Sequence, residues 1–316
     1  MEKQGVISFG EAFVDFLSID SGNAEFTSML GGATVNVAVG ISRLGIPAYY
    51  LCKLGTDKTS QFVEQEFKKE GIHMGFSVHS AAKRICSVYV HTNDEGERYF
   101  HSYINRTPNE VLTADELKNE VFEQAQIFYF GSGTLFHEKA KRTTETAIEY
   151  ANAANNLIAF DANLRLKRWD SEKHCRSTVS QFIKSADIVK LAEDELEFLT
   201  QTNSLEAGLA KISDWNIPYL FVTLGKIGAL AVWDDEKVFV RAPKVRAIDT
   251  TGAGDAFMAA LLYCYHERGK PTELTQLTSY LKLSNQAGAA ATTAMGSLTA
   301  LINPEEYKKH FKSMFK

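Results

Sequence analysis

From residue 127 onward, short apolar runs alternate with segments of helical spacing. Ile127–Gly131, 157–163, 187–192 and 219–225 are near-continuous apolar stretches of strand length, as expected for strands covered on both faces. The intervening stretches, near 138–155 for example, carry helical patterns. Strands separated by helix-length crossovers predict an α/β core: a doubly wound, mostly parallel sheet with helices on both faces. Residues 254–292 read as two mostly apolar helices, and 305–315 as a closing amphipathic one.

The N-terminal third has a different pattern. Residues 11–20 and 24–30 read as a strand pair joined by the turn Asp20-Ser-Gly-Asn23. Residues 85–91 and 98–104 read as a second pair, joined around Asn93-Asp-Glu-Gly96. Alternation in Val88-Tyr-Val-His-Thr92 suits a sheet with one covered face. The expectation is one domain over 1–316, with a small β lid formed by about 11–30 and 85–105.

Composition narrows the function. A chain of 316 residues, 45% of them hydrophobic, can bury a large core, and a net charge of −5 gives no global pull toward nucleic acid or anionic membrane. No stretch approaches the roughly 18 apolar residues of a bilayer span. Cys52, Cys86, Cys175 and Cys264 lie far apart, without zinc-ligand spacing, which suggests a reducing compartment and a cytoplasmic protein.

The strongest chemical signal is Asp249-Thr-Thr-Gly-Ala-Gly-Asp255, leading into an apolar helix. The small residues Gly252, Ala253 and Gly254 let an anion approach backbone N–H groups at the positive end of a helix dipole. A carboxylate in that first turn, Asp255, stands beside the anion hole as a base. Alone, this turn supports little more than a capped helix. Other strand ends are polar as well: Asp161-Ala-Asn163-Leu-Arg165, Lys190-Leu-Ala-Glu193-Asp-Glu195 and Thr223-Leu-Gly225-Lys226-Ile-Gly228. In open parallel sheets, ligands bind outside the carboxyl ends of the strands. Four such positions on one edge favour a site.

Near the N-terminus, Gly31-Gly32-Ala-Thr-Val-Asn36 opens a helical run over 37–44, and Asp15 interrupts an apolar strand. A carboxylate there must be paired, exposed at an edge or bound to ligand hydroxyls. The chain has no G-x-x-x-x-G-K-[ST], and the Gly-Ala-Gly turn lacks the third glycine of the dinucleotide fingerprint.

Together these residues resemble the ribokinase-like carbohydrate kinases, the family of bacterial phosphofructokinase B, ribokinase and fructokinase. Gly31 to Ala38 with Arg43-Leu-Gly45 matches that family's N-terminal signature, and Asp249 to Phe257 matches its C-terminal one. The resemblance implies an ATP-dependent kinase. Asp255 would be its base, and the amides of Gly252, Ala253 and Gly254 its anion hole. Asp15, Gly31, Gly32 and Asn36 would hold sugar hydroxyls. Lys190, Thr223, Gly225, Lys226 and Gly228 would serve the nucleotide, with Asn285 near the adenine. Glu195 matches a glutamate that supports Mg²⁺ through water, although Ala192 replaces the asparagine that begins that motif. A monovalent cation, potassium, often binds in such proteins near Asp249, Thr251 and Met295-Gly296-Ser297.

Gly10-Glu11-Ala-Phe-Val-Asp15-Phe and Asp161-Ala-Asn163-Leu-Arg165 with Trp169 look most like the fructokinases. Arg106, Asn163 and Arg165 then face the substrate. Those arginines also suit a carboxylate, as in the similar 2-keto-3-deoxygluconate kinases, and aminoimidazole riboside or another nucleoside remains an option. A sugar- or nucleotide-binding regulator without catalysis is the alternative from another class. A homodimer could form through the lid, whose strands offer edges to a partner.

Overall fold

The computed structural model describes residues 3–20, 22–93, 98–296 and 298. The expected helix at 305–315, Asp94, Glu95 and Gly96 of the second turn, and Ser297 lie outside them. In chain order the first elements are β1 (Val6–Phe9), β2 (Phe13–Ser18), β3 (Phe26–Gly31), α1 (Ala33–Arg43), β4 (Ala48–Leu51), β5 (Lys53–Leu54), α2 (Lys58–Lys69), β6 (Val78–His79), β7 (Cys86–Thr92) and β8 (Arg98–Ile104). Then come α3 (Glu120–Gln124), β9 (Ile127–Gly131), α4 (Glu138–Ala153), β10 (Leu157–Asp161), α5 (Glu172–Ile183), β11 (Ile188–Ala192), α6 (Glu193–Thr200) and α7 (Leu205–Ile212). The last are β12 (Tyr219–Thr223), β13 (Gly228–Trp233), β14 (Glu236–Arg241), α8 (Ala253–Arg268) and α9 (Leu274–Ala291).

The large sheet has 8 strands in the order β14-β13-β12-β11-β10-β9-β1-β4. From β4 to β12 neighbouring strands are parallel, and β13 and β14 join antiparallel at one edge. Side chains alternate between two cores, as a sheet covered on both faces requires. Val6, Tyr129, Ala159, Ile188 and Phe221 face one core with buried residues of α1, α8 and α9. Ile7, Phe128, Phe160, Val189 and Val222 face the other, built with α4, α5, α6 and α7. This is the doubly wound core that the sequence pattern predicts. No helix among the described residues is long and apolar enough to cross a membrane.

A second sheet, β3-β2-β7-β8, corresponds to the two N-terminal strand pairs. β2 pairs antiparallel with β3 and parallel with β7, and β7 pairs antiparallel with β8. Its strands leave the core at two places, β2 and β3 between β1 and α1, and β7 and β8 between β6 and α3.

Four local readings change, the first being the strand expected over 219–225, which ends at Thr223 before a short 3-10 turn over Gly225–Ile227. The strand expected over 157–163 ends at Asp161, because Asn163 turns into the left-handed region (φ 36°). The helix expected at 37 begins at Ala33, four residues earlier. Thr34 and Val35 are weak helix formers, but burial of Val35, Val37, Ala38, Val39 and Ile41 outweighs that propensity. The β13–β14 hairpin was not expected from the sequence. Asp234 and Asp235 both adopt positive φ, as a tight two-residue hairpin needs.

Candidate active site

The carboxyl ends of β1, β9, β10, β11 and β12 share one edge of the large sheet, and register arranges their chemistry. Asp161 stands directly opposite Lys190 on the neighbouring parallel strand. Both have the parity of Ala159 and Ile188, so they project to the side of α1 and α8. There Lys190 Nζ donates to both Asp161 oxygens at 2.9 and 3.1 Å, with Asp161 fully buried. Burial pushes the Asp161 carboxyl up, opposed by the Lys190 ammonium. Burial pulls Lys190 down, but Asp161, Glu195 and Asp255 outweigh it and hold the ammonium above its ordinary value. Lys190 is therefore a charged, fixed cation at the sheet edge.

That cation faces the Gly-Ala-Gly-Asp turn. Gly252 caps α8 with φ 79°, a conformation suited to glycine, and offers no side-chain cap. Ala253 N–H closes a turn on the Thr250 carbonyl at 3.3 Å, and the helical ladder begins with Ala256 N–H donating to Gly252 O at 2.9 Å. The N–H groups of Gly254 and Asp255 precede that ladder. A Cβ on Gly254 would lie 3.1 Å from Lys190 Nζ, a tight contact, so the bare glycine lets the ammonium approach this turn closely. Positive dipole end, amides and ammonium converge in a way that suits an anion.

Asp255 occupies the third position of α8 and is 9% exposed. Helices α1 and α8 pack side by side, and Asn36 of α1 donates from Nδ2 to Asp255 Oδ2 at 2.7 Å. Burial raises the Asp255 pKa, while the Asn36 hydrogen bond, Lys190 and Arg165 hold the rise down. A carboxylate made more basic than usual, yet kept able to ionise, is suited to general-base work.

Asp15, on β2, has Met29 and Val88 as cross-strand neighbours, and burial alone lifts its pKa to about 6. Its carboxylate lies on Gly31, where a Cβ would meet Asp15 Oδ2 at 2.5 Å. Gly32 takes φ 116° as the cap of α1. Asp15, Gly31, Gly32 and Asn36 thus lie along one path from the small sheet to Asp255.

Glu195 is 9% exposed and ties two loops together, its Oε1 accepting from Leu164 N–H at 2.6 Å and its Oε2 from Ala192 N–H at 2.8 Å. The Ala192 methyl group cannot accept the reciprocal bond of a capping box, so α6 has half of that motif. Burial raises the Glu195 pKa and Lys190 opposes it. Asp249 is spent on backbone too, accepting from Thr251 N–H at 2.9 Å and Gly296 N–H at 3.0 Å. No group of three or more His, Cys, Asp or Glu among the described residues could by itself hold a metal ion. Both Glu195 oxygens already accept from backbone N–H groups, which fits support of a phosphate-bound cation through water rather than direct ligation.

At the end of β12, Thr223 Oγ1 contacts Leu191 O at 3.4 Å, and Gly225 and Lys226 are exposed in the turn that follows. Gly228 (φ 140°) lets β13 approach β14, since a Cβ would fall 2.1 Å from Val240 O. Asn285 is buried and donates to that same carbonyl at 2.8 Å, binding α9 to β14. Arg106 is exposed beyond β8, and Arg165, also exposed, donates to Leu164 O at 3.1 Å.

Sequence reasoning missed Arg168. Its guanidinium lies 4.2 Å from the Phe136 ring centroid, 4.6 Å from Tyr103 and 5.8 Å from Phe13, and its Nη2 donates to Tyr103 Oη at 2.7 Å. It borders a cavity of about 50 Å³, shared with Glu11, Asn105 and His137. Lys83, 1% exposed, reaches Glu11 Oε2 at 2.5 Å between the two crossings from core to small sheet.

A family model described as pfkB family carbohydrate kinase matches residues 3–304. Fructokinase-1 of Zea mays is 35% identical over 308 residues, covering 95% of this chain and 95% of that protein. Fructokinase from Vibrio cholerae O395, solved with fructose, ADP and calcium ion, superposes with a TM-score of 0.84 at 30% identity, covering 97% of this chain and 98% of that one. A double mutant of that enzyme with fructose, ADP and potassium ion gives a TM-score of 0.85 at 29% identity, covering 98% and 99%.

Proposed function

The chain belongs to the pfkB family of carbohydrate kinases, and from that premise we propose that it is a fructokinase, transferring the γ-phosphoryl group of ATP to a primary hydroxyl of fructose. The observation that carries the reading is Asp255 held by Asn36 at 2.7 Å at the head of α8, with Lys190 facing Gly254. The relatives that bind fructose favour it as acceptor.

The hydroxyl oxygen attacks the γ-phosphorus, its proton passes to Asp255, and the bond to the β–γ bridging oxygen breaks to release ADP. Amides at 252–254, Lys190 and Lys226 offset charge on the phosphoryl oxygens as the transition state forms. Asp15, Gly31, Gly32, Asn36, Asn163, Arg106 and Arg165 hold the sugar. Thr223, Gly225 and Gly228 shape the nucleotide side. Mg²⁺, supported through water by Glu195, would supply Lewis-acid neutralisation of the phosphates, and the loop at Asp249 and Thr251 would hold potassium. The small sheet acts as a lid that excludes water.

Four buried cysteines without disulfides support a reducing, cytoplasmic setting. Ile19 and Phe100, exposed by 61% and 64% on the lid, support a homodimer through that sheet.

ADP release with fructose, ribose, 2-keto-3-deoxygluconate and aminoimidazole riboside, with and without Mg²⁺ and potassium, tests the reading. Highest kcat/KM for fructose is expected, with loss on chelation. Turnover confined to another acceptor would move the substrate, and no ADP release with any would leave a non-catalytic binding protein.

A further inference from the structure

Arg168 belongs to the large-sheet side of the molecule, in the loop after β10, yet most of its contacts are with the small sheet. Phe13 begins β2 and Tyr103 lies near the end of β8, whereas Phe136 follows β9 in the core. The guanidinium thus sits among rings from both bodies, and its hydrogen bond to Tyr103 Oη crosses between them at 2.7 Å. Tyr103 Oη in turn donates to Cys86 Sγ at 3.2 Å, which passes the contact to β7. Burial pushes the Tyr103 hydroxyl above its ordinary value, so it stays a neutral donor near neutral pH.

The same loop carries the phosphoryl end of the site. Asp161 ends β10 and fixes Lys190, and Leu164 N–H is bound by Glu195. On the lid side, Asp15 is two residues from Phe13 on β2. One side chain therefore joins the strand bearing the sugar-side carboxylate to the loop that positions the catalytic cation. A guanidinium stacked on aromatic faces and bonded to a phenol is a directional contact that an ammonium does not reproduce.

We propose that Arg168 is a positioning residue that latches the lid onto the loop after β10 and so holds the acceptor in register with Asp255. The proposal rests on the kinase reading above for its kinetic part, but not for its structural part. When Arg168 is removed, the lid opens more often while the groups at the head of α8 stay in place. Tyr103→Phe removes the hydrogen bond and keeps the ring, so its effect is the smaller.

Hydrogen exchange of the ligand-free protein gives the deciding readout. In Arg168→Leu, amides of β7 and β8 should exchange about tenfold faster while those of α8 keep their wild-type rates. Arg168→Lys should resemble Leu rather than rescue, and Tyr103→Phe should fall between. With the acceptor that the wild type turns over, KM for that acceptor should rise about tenfold, with KM for ATP unchanged. Lid exchange unchanged in Arg168→Leu, or acceleration shared equally by α8, overturns the latch. If the wild type phosphorylates none of the acceptors, the fructokinase reading falls, and the exchange rates still decide the latch.

Discussion

Replacing Asn36 by Leu, of nearly the same volume, isolates one hydrogen bond to the proposed base. In the native chain a 2.7 Å bond reaches Asp255 Oδ2, both partners being buried, and after burial itself it is the largest influence on that carboxyl. A hydrogen bond to a charged group contributes about 1.5–3 kcal/mol. Its loss raises the Asp255 pKa further, and that energy corresponds to about a 10- to 100-fold loss of kcat/KM at pH values where the carboxyl is protonated. The sign follows from the bond favouring the ionised form: without it, a higher pH is needed to make Asp255 a base. The acid limb of kcat/KM against pH should move to higher pH. Activity falls most at low pH and recovers toward an alkaline plateau. Any weaker grip on the sugar lowers the whole profile without moving the limb. Steady-state rates from about pH 5 to 9.5, with acceptor far below KM, measure it. An acid limb that stays in place, or moves down, refutes the role of Asn36 as the group that keeps Asp255 ionised.

Other substitutions probe the rest of the site. Asp255→Asn should reduce kcat by about 10³-fold or more while leaving the melting temperature equal or higher, because it removes a carboxylate that burial already disfavours when charged. Folded-state pKa raised above the unfolded value means that the wild-type penalty grows as pH rises, so the gain in melting temperature should be larger at pH 8 than at pH 5. Lys190→Met leaves Asp161 buried without its cation and should lower stability in urea by about 3–5 kcal/mol, with Lys190→Met/Asp161→Leu recovering most of it. Gly31→Ala drives a methyl group to within 2.5 Å of Asp15 Oδ2, so KM for the sugar should rise with KM for ATP unchanged.

Much of this architecture was legible in the sequence because period and chemistry agreed. The apolar runs at Ile127–Gly131 and Ile188–Ala192 could be little other than buried strands, and their polar ends had to emerge on one edge. Asp161 and Lys190 were both visible there, but their pairing depended on register, which two separate strands do not advertise. The bond from the Asn285 amide nitrogen to Val240 O joins α9 to a hairpin absent from the sequence reading, so that contact could not be foreseen. Arg168 carried no local signal. Arg165 and Arg106 stood in recognisable motifs, whereas the setting of Arg168 is made by Phe13 and Tyr103, distant along the chain. The early start of α1 was hidden because Thr34 and Val35 argue for strand until tertiary burial is counted.

The ion pair opposite itself on β10 and β11 has a consequence for how the sheet assembles. A slip of one residue in β10 would swing Asp161 toward the core of Phe128, Phe160 and Val189, far from Lys190. There a carboxylate would be stranded in hydrocarbon, a penalty of several kcal/mol. In Leu-Ile-Ala-Phe both faces are apolar, so hydrophobicity alone penalises a slipped register little. The charged pair adds a penalty against slippage, so the residues assigned to the proposed phosphoryl site also favour the native strand alignment. Refolding yield of Lys190→Met/Asp161→Leu, lower than wild type at equal final stability, would be its signature.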